Sequence, residues 1–438
     1  MQGDFSRLTF EPAKQFSRVL MQQGRVQLDA DWNEQASLLL YQVRTLARAV
    51  IGRYGGIDDA FHITGSATGS PLLAIGAGAY FVNGILCSGD GVVPFVPPGD
   101  WKTNDGAIRP LAGDYLVYLA VAERHITFVN DDDIREKALG EGIDTTSRTK
   151  VVAAVSAVKI DGLLGMKVDA RNKAVEDALD KLRPALGRPK MRASVETQSK
   201  PHDICNVPPF AQFRGSGNQL YRVEIHAPAA AGKGATFKWS RENGSVVFPV
   251  TVGVKGTKIS TRRYDRDRFQ LEKGDWVEFE DDDLIASGNP PFDLSRVESV
   301  DSDSITVDKV PVADFGAHPE KHPLLRRWDH AAQPGGATYY HRGTIEIQDE
   351  KRSFPLELGL QVEFHAEGNK YTRGDYWVIP ARTLTGGIDW PVDQYLPARR
   401  AETGYAPLAA MTIGADGKLA GLPTDLRSLI TPAAAQVP

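Results

Sequence analysis

From Asp31 the chain runs without proline or glycine until Gly52, and within this stretch Trp32, Ala36, Leu39, Val43, Leu46 and Val50 recur at alternating spacings of four and three. That is the a/d repeat of a coiled-coil seam, and it predicts a helix over about 31–51. Asp31-Trp32-Asn33-Glu34 supplies a capping-box start, and Leu40, Ala47 and Ile51 widen the apolar stripe on one side. The stripe is shorter than the three to four heptads that argue a coiled coil by themselves. It fits packing of the helix on its own domain and contact between subunits alike.

Residues 1–28 read as an extended arm in which Phe5, Leu8, Phe10 and Phe16 are spaced irregularly among polar residues and Pro12 interrupts. Such a segment lacks a period that would fold it alone, so its apolar groups are expected to need a partner surface. Beyond Gly55-Gly56 alternating apolar runs take over, as in 72–88 and 114–129, and predict strands and hairpins. Residues 161–205 break this pattern: Ala174, Val175, Leu179, Leu182 and Leu186 outline an amphipathic helix, followed by a Pro-, Lys- and Arg-bearing stretch. Strand-like runs return from QLYRVEIHA onward, separated by Gly, Asp, Asn and Pro clusters. The resulting expectation is a mainly β protein with an N-terminal α-helix, in which two β-sandwich or barrel-like domains are joined by a helix-containing linker. Its segments are an arm and docking helix (1–56), a first β-rich domain (57–160), a helical insertion and linker (161–205), a second β-rich domain (206–415) and a C-terminal tail (416–438).

Two short patterns carry turn chemistry. Gly113-Asp114-Tyr115, Gly274-Asp275-Trp276 and Gly374-Asp375-Tyr376 each open a strand, with glycine taking positive φ and the aspartate bonding back to the turn. Val82-Asn83-Gly84-Ile85 and SRENGSVVF, with Asn243-Gly244 at its centre, predict type I′ hairpins.

Composition narrows the function. With 51 Lys+Arg against 56 Asp+Glu in 438 residues the formal charge is -5, which gives no long-range attraction to nucleic acid or to an anionic membrane. Cys87 and Cys205 lie far apart without a CxxC pattern, so both are read as buried thiols and neither a disulfide framework nor a zinc ribbon is expected. The start MQGDFSRLTF has no apolar core behind a basic segment, and no stretch is long enough for a membrane span. Synthesis in the cytosol follows as the expectation, with any exit occurring inside a larger assembly.

No GxSxG, HExxH, Walker A or strand-borne GxGxxG pattern occurs, so a non-catalytic role without cofactor is expected. The runs Asp131-Asp132-Asp133 and Asp281-Asp282-Asp283 lack the glycine-spaced layout of a calcium loop and are read as turns. His318 and His322 have a spacing that would align two imidazoles on a helix, but Pro319 and Pro323 oppose a helix there. Arg326, Arg327 and Trp328 suit packing or interface roles. Trp276, Tyr376, Trp377 and Trp390 are candidates for an exposed platform that stacks on sugars.

The segments GDFSRLTFEPAKQFSRVLMQQGRVQLDADWNEQ, ERHITFVNDDDIREKALGEGIDTTSRTK, NQLYRVEIH, FKWSRENGSVV, HPLLRRWDH and GDYWVIPAR resemble an uncharacterised bacterial family whose members often occur beside genes of phage-tail-like contractile injection systems. The N-terminal piece is also similar to the opening of phage tail-fibre and baseplate proteins, with Val19-Leu20, Gly24, Leu28 and Asn33-Glu34 at the shared positions. The resemblance implies a region that docks the subunit onto a particle, commonly as part of a trimer. The absence of a long repetitive shaft fits a baseplate or adaptor better than a fibre. The candidate assembly interface is therefore Phe5, Leu8, Phe10, Phe16, Val19 and Leu20 of the arm with Trp32, Leu39, Val43, Leu46 and Val50 of the helix. The implied partners are further copies of the chain, other particle subunits and, in the alternative, a cell-surface glycan that the protein binds or cleaves.

Overall fold

In the computed structural model the helix expected near the N-terminus is α1 (Asp29–Ile51), two residues longer at its start than the sequence pattern suggests. The structure describes residues 2–65, 73–89, 93–95, 112–140, 144–183, 187–195, 213, 215–230, 233–261, 270–282, 293–310, 315–330, 340–341, 343–348, 350–415 and 418–430. Asp31 is not the cap: the helix starts after extended Leu28, which makes no side-chain capping bond, and Asp29 and Asp31 sit in the first turn. Their negative charge complements the helix dipole there. Gly52, at φ 94°, ends the helix.

The rest of the chain is mainly β, with α2 (Val168–Leu182) as its second α-helix among the described residues. An antiparallel sheet runs in the order Thr424–Asp425, Thr403–Ile413, Gly113–Ile126, Arg148–Lys159. Alternation places Val117, Leu119 and Val121 on one face, where they meet Tyr80, Val82 and Cys87 of the hairpin formed by Gly78–Val82 and Ile85–Gly89. Leu116 and Ala410 face the other way, onto Val175 and Leu179 of α2. The hairpin turn has Asn83 and Gly84 at φ 50° and 77°, the two positive values that a type I′ turn requires. Gly84 is needed twice over, because a Cβ there would come within 2.4 Å of the Arg44 carbonyl oxygen of α1.

A six-stranded sheet (Tyr340–His341, Thr344–Glu346, Thr236–Ser240, Gln219–Ala227, Tyr376–Arg382, Gly387–Ile388) packs face to face on a four-stranded one (Ser353–Pro355, Leu360–His365, Lys190–Val195, Leu396–Pro397). Phe237, Phe354, Phe364 and Trp377 fill the space between them. The strands Val247–Lys255, Lys258–Thr261, Ser304–Val307, Ser295–Val300, Trp276–Glu280 and Leu324–Trp328 close into a barrel around Phe248, Ile259, Val277, Phe279, Ile305 and Leu325.

The divisions expected at 160 and 206 do not coincide with sheet membership. Thr403–Ile413, expected in the second β-rich part, pairs along Gly113–Ala122 of the first, and Lys190–Val195, expected in the linker, pairs with Leu360–His365. Pairing over nearly three hundred residues leaves no local pattern to read. Residues 196–205 of the expected linker, Leu186, and 431–438 of the expected tail lie outside the described residues. The glycine-aspartate openings behave as turns: Gly113, Gly274 and Gly374 all have positive φ. Asp275 accepts from Glu272 N at 2.9 Å and Asp375 from Thr372 N at 3.0 Å, whereas Asp114 reaches further, to Leu164 N at 3.2 Å.

Candidate assembly interface

The sequence of α1 dictates two opposite faces. At about 100° per residue, Ala30 and Leu38 define one side and the seam from Trp32 to Val50 lies roughly opposite. The structure buries the first pair and leaves the seam exposed. Trp32, Leu39, Val43, Leu46 and Val50 are between 52% and 77% exposed, Leu39 least and Val50 most. Among the described residues, 12 of the 22 exposed large apolar side chains fall between Phe16 and Val50, five on the second part of the arm and seven on α1, so the apolar exposure is concentrated in this N-terminal stretch.

The orientation of α1 is fixed from its inner side. Arg44 makes a two-pronged bond to Glu123 at 2.9 and 2.6 Å, and the Asn83-Gly84 turn closes on its backbone. Past the end of the helix, Arg53 and Tyr54 both bond to Glu176 of α2, at 2.9 and 2.8 Å. These contacts hold α1 to the chain on the side away from the seam.

The arm divides into two parts. Its first residues are tied to their own chain: Gly3 N donates to Asn243 O at 3.3 Å and Gly3 O accepts from Asn243 Nδ2 at 2.9 Å. Ser6 donates through its amide and hydroxyl to Asp29 at 2.9 and 2.5 Å, while its carbonyl accepts from Arg382 at 3.1 Å. Phe5 lies edge-on to His125 with ring centroids 6.0 Å apart, and Phe10 tilts against Tyr41 at 5.8 Å. Phe5, Leu8 and Phe10 are thus half-buried within the chain itself, which supplies part of the partner surface expected for them. The second part runs along one flank of α1, with Val19 N donating to Gln35 at 2.7 Å and Gln42 donating to Ser17 O at 3.2 Å. Here Val19 is half-buried, but Phe16 and Leu20 project outward beside the seam.

Asn243 was legible only as a turn residue. It and Gly244 have φ of 49° and 67°, yet no hairpin forms: Thr236–Ser240 belongs to the six-stranded sheet and Val247–Lys255 to the barrel. The turn instead hands the chain from one to the other and receives the N-terminus. Around this junction is a buried ionic cluster. Lys238 lies between Glu224 and Glu278, Trp328 Nε1 donates to Glu278 at 2.8 Å, Arg222 bonds to Glu224 at 2.6 Å, and Arg326 makes two 2.8 Å bonds to Glu280. Burial works against ionisation of Glu224, but Arg222 and Lys238 outweigh it and hold its carboxyl down at about 2. Desolvation lowers the nearby His125 to about 3, helped by Arg326 and Arg222, and lowers His226 to about 2 and His330 to about 4. Every charge of this cluster has its opposite, as structural ion networks require.

The other candidates resolve into structure. Tyr376 and Trp377 are buried, Tyr376 beneath the Arg222 guanidinium at 3.7 Å, and Trp276 and Trp390 are half-buried, so no exposed sugar platform forms from these four. Asp131 accepts from Asp133 N at 3.2 Å within its own turn. Asp282 pairs with Arg124 at 2.6 Å and with His322 at 2.9 Å, His318 turns to Glu320 at 3.0 Å, and Asp283 lies outside the described residues. Arg326, Arg327 and Trp328 are buried on a barrel strand. Cys87 is a buried thiol pushed up to about 11 by desolvation, and Cys205 lies outside the described residues. Among the described residues no three His, Cys, Asp or Glu side chains are grouped to hold a metal.

In comparison with known families, the model of a family of unknown function, DUF6519, aligns with residues 1–187 and 178–412. No curated protein and no solved structure matches the chain. By the extent of that alignment, the chain belongs to the DUF6519 family.

Proposed function

We propose that the protein is a non-catalytic structural subunit, a baseplate or adaptor component of a phage-tail-like particle, which self-associates through α1. The observation that carries this reading is the exposed seam: six a/d positions in register on the side of the helix opposite its buried residues, Ala30 and Leu38. Burying one large apolar side chain contributes about 1.5–3 kcal/mol, so a seam of this size is a strong driving force once a partner is present. Ala36, Val43 and Val50 at a with Leu39 and Leu46 at d suit two helices, but Leu40 and Ala47 extend the apolar surface past a two-helix seam. We take three copies as the assembly.

In this reading the β-rich remainder, two sandwich- or barrel-like bodies connected through the segment around α2, faces neighbouring subunits. The near-balanced charge supports protein partners over nucleic acid. Among the described residues no helix is long and apolar enough to cross a membrane. Particles purified from cells that carry a tagged copy test the assignment. Wild-type chain should co-sediment with intact particles and be lost from them when Leu39 and Leu46 are both replaced by Asp. A wild-type chain that never sediments with particles would contradict it.

A further inference from the structure

Resting on that reading, we infer that the interface is a composite in which the arm of each protomer packs on the exposed flank of α1 of the next: Leu20 against Leu40 and Phe16 against Ala47 of a second copy. Three observations lead there. The two flanks of the seam differ, because one carries Gln35 and Gln42 and is covered by residues 17–19 of the same chain, whereas the other carries Leu40 and Ala47. Leu40 is half exposed, and no residue of the arm bonds to that flank among the described contacts. Phe16 and Leu20 stand out from the covered flank, 55% and 69% exposed, so apolar groups project from one side of the seam, and the half-exposed Leu40 with the half-buried Ala47 lies on the other.

A closed ring of three identical chains brings unlike patches together at every contact, so its helices run parallel and each flank meets the opposite flank of its neighbour. In a parallel bundle the g position of one helix faces the e position of the next heptad on its partner. Gln35 then faces Leu40 and Gln42 faces Ala47, which sets the arm residues bound at those glutamines over the same two positions. Size agrees, since Phe16 meets the small Ala47. Charge does not oppose it: between Trp32 and Val50 the charged residues Glu34, Arg44 and Arg48 all lie off the a, d, e and g positions, and Arg44, which adjoins Leu40 and Ala47, is already paired with Glu123.

Disulfide trapping of the full chain in a Cys205→Ser background tests the contact. Leu20→Cys combined with Leu40→Cys should give covalently linked oligomers on mild oxidation, while each substitution alone gives none, because residue 20 meets residue 40 and not itself. Val43→Cys, in the seam, reports the bundle independently. All three positions are exposed, so folding is preserved and unchanged thermal melts verify it. Cross-linking through Val43→Cys without cross-linking of the Leu20/Leu40 pair would overturn the arm contact and leave self-association standing. Linkage by Leu20→Cys alone would overturn it in favour of arm meeting arm. Failure of both reporters with a monomeric mass would remove the seam and the inference together. Replacing Phe16 and Leu20 by Ser should weaken association at least about tenfold, the factor that corresponds to roughly 1.4 kcal/mol, without moving the melt of the monomer.

Discussion

Replacing Leu39 and Leu46 together by Asp separates a subunit interface from an internal one. In the single chain these leucines are 52% and 65% exposed. If full burial of a leucine contributes about 1.5–3 kcal/mol, covering the exposed part of both in an oligomer contributes about 2–3.5 kcal/mol per protomer. Over three protomers that is about 5–10 kcal/mol, and each substitution also places a carboxylate in an apolar seam. At about 1.4 kcal/mol per factor of ten, association should weaken by at least three orders of magnitude. The folded chain loses little, because substitutions at exposed positions away from special features usually stay within about 0.5 kcal/mol. Sedimentation equilibrium gives the association constant, and circular dichroism melts of the variant under dissociating conditions give the chain's own stability. An unchanged association constant, or a melt lowered by many degrees with loss of β signal, would refute the reasoning and place the seam inside the fold.

Asn243→Ala should cost about 2–4 kcal/mol, since it removes the side-chain bond to Gly3, leaves Arg222 short of an acceptor and puts alanine at a left-handed φ; thermal denaturation measures this, and a change below about 0.5 kcal/mol would show that the arm is not anchored there. Lys238→Ala should cost about 3–5 kcal/mol by leaving Glu224 and Glu278 buried without their shared cation, as read by urea unfolding. Acid should destabilise the protein in two windows. His125, His226 and His330 are held below their ordinary value of 6.5, so the unfolded chain binds the protons first, and their contribution is full above about pH 6.5 and lost as pH falls toward 4 and below. Glu224, lowered from 4.5, loses its contribution as pH falls from about 4.5 toward 2. A flat stability profile between pH 7 and 5 would contradict the buried neutral imidazoles.

The periodic elements were legible because their cause is local. The α1 seam, the α2 stripe from Ala174 to Leu182, the Asn83-Gly84 hairpin and the three glycine-aspartate turns each follow from residues within one or two turns of chain. What was not legible depends on remote partners. Phe5 and Phe10 look unsatisfied in sequence because His125 and Tyr41, which cover them, cannot be inferred from the arm. Tyr376 and Trp377 look like exposed aromatics because alternation normally leaves one face of a strand in water. Here one face meets the second sheet and the other meets the ionic cluster, so both are buried. The Asn243 turn has the dihedrals its sequence predicts, but which sheets its flanking strands join is decided by pairing with the preceding Gln219–Ala227 on one side and with the remote Leu324–Trp328 on the other. Within the candidate interface, the seam was readable from its spacing, while the flank that the arm covers required the Gln35 and Gln42 bonds.

The most direct test of the central claim is the molar mass of the purified wild-type chain, measured by light scattering over a dilution series from tens of micromolar downward. Self-association through α1 predicts a species of three times the 47.8 kDa chain mass that dissociates only on strong dilution. A constant 47.8 kDa across the series would contradict it.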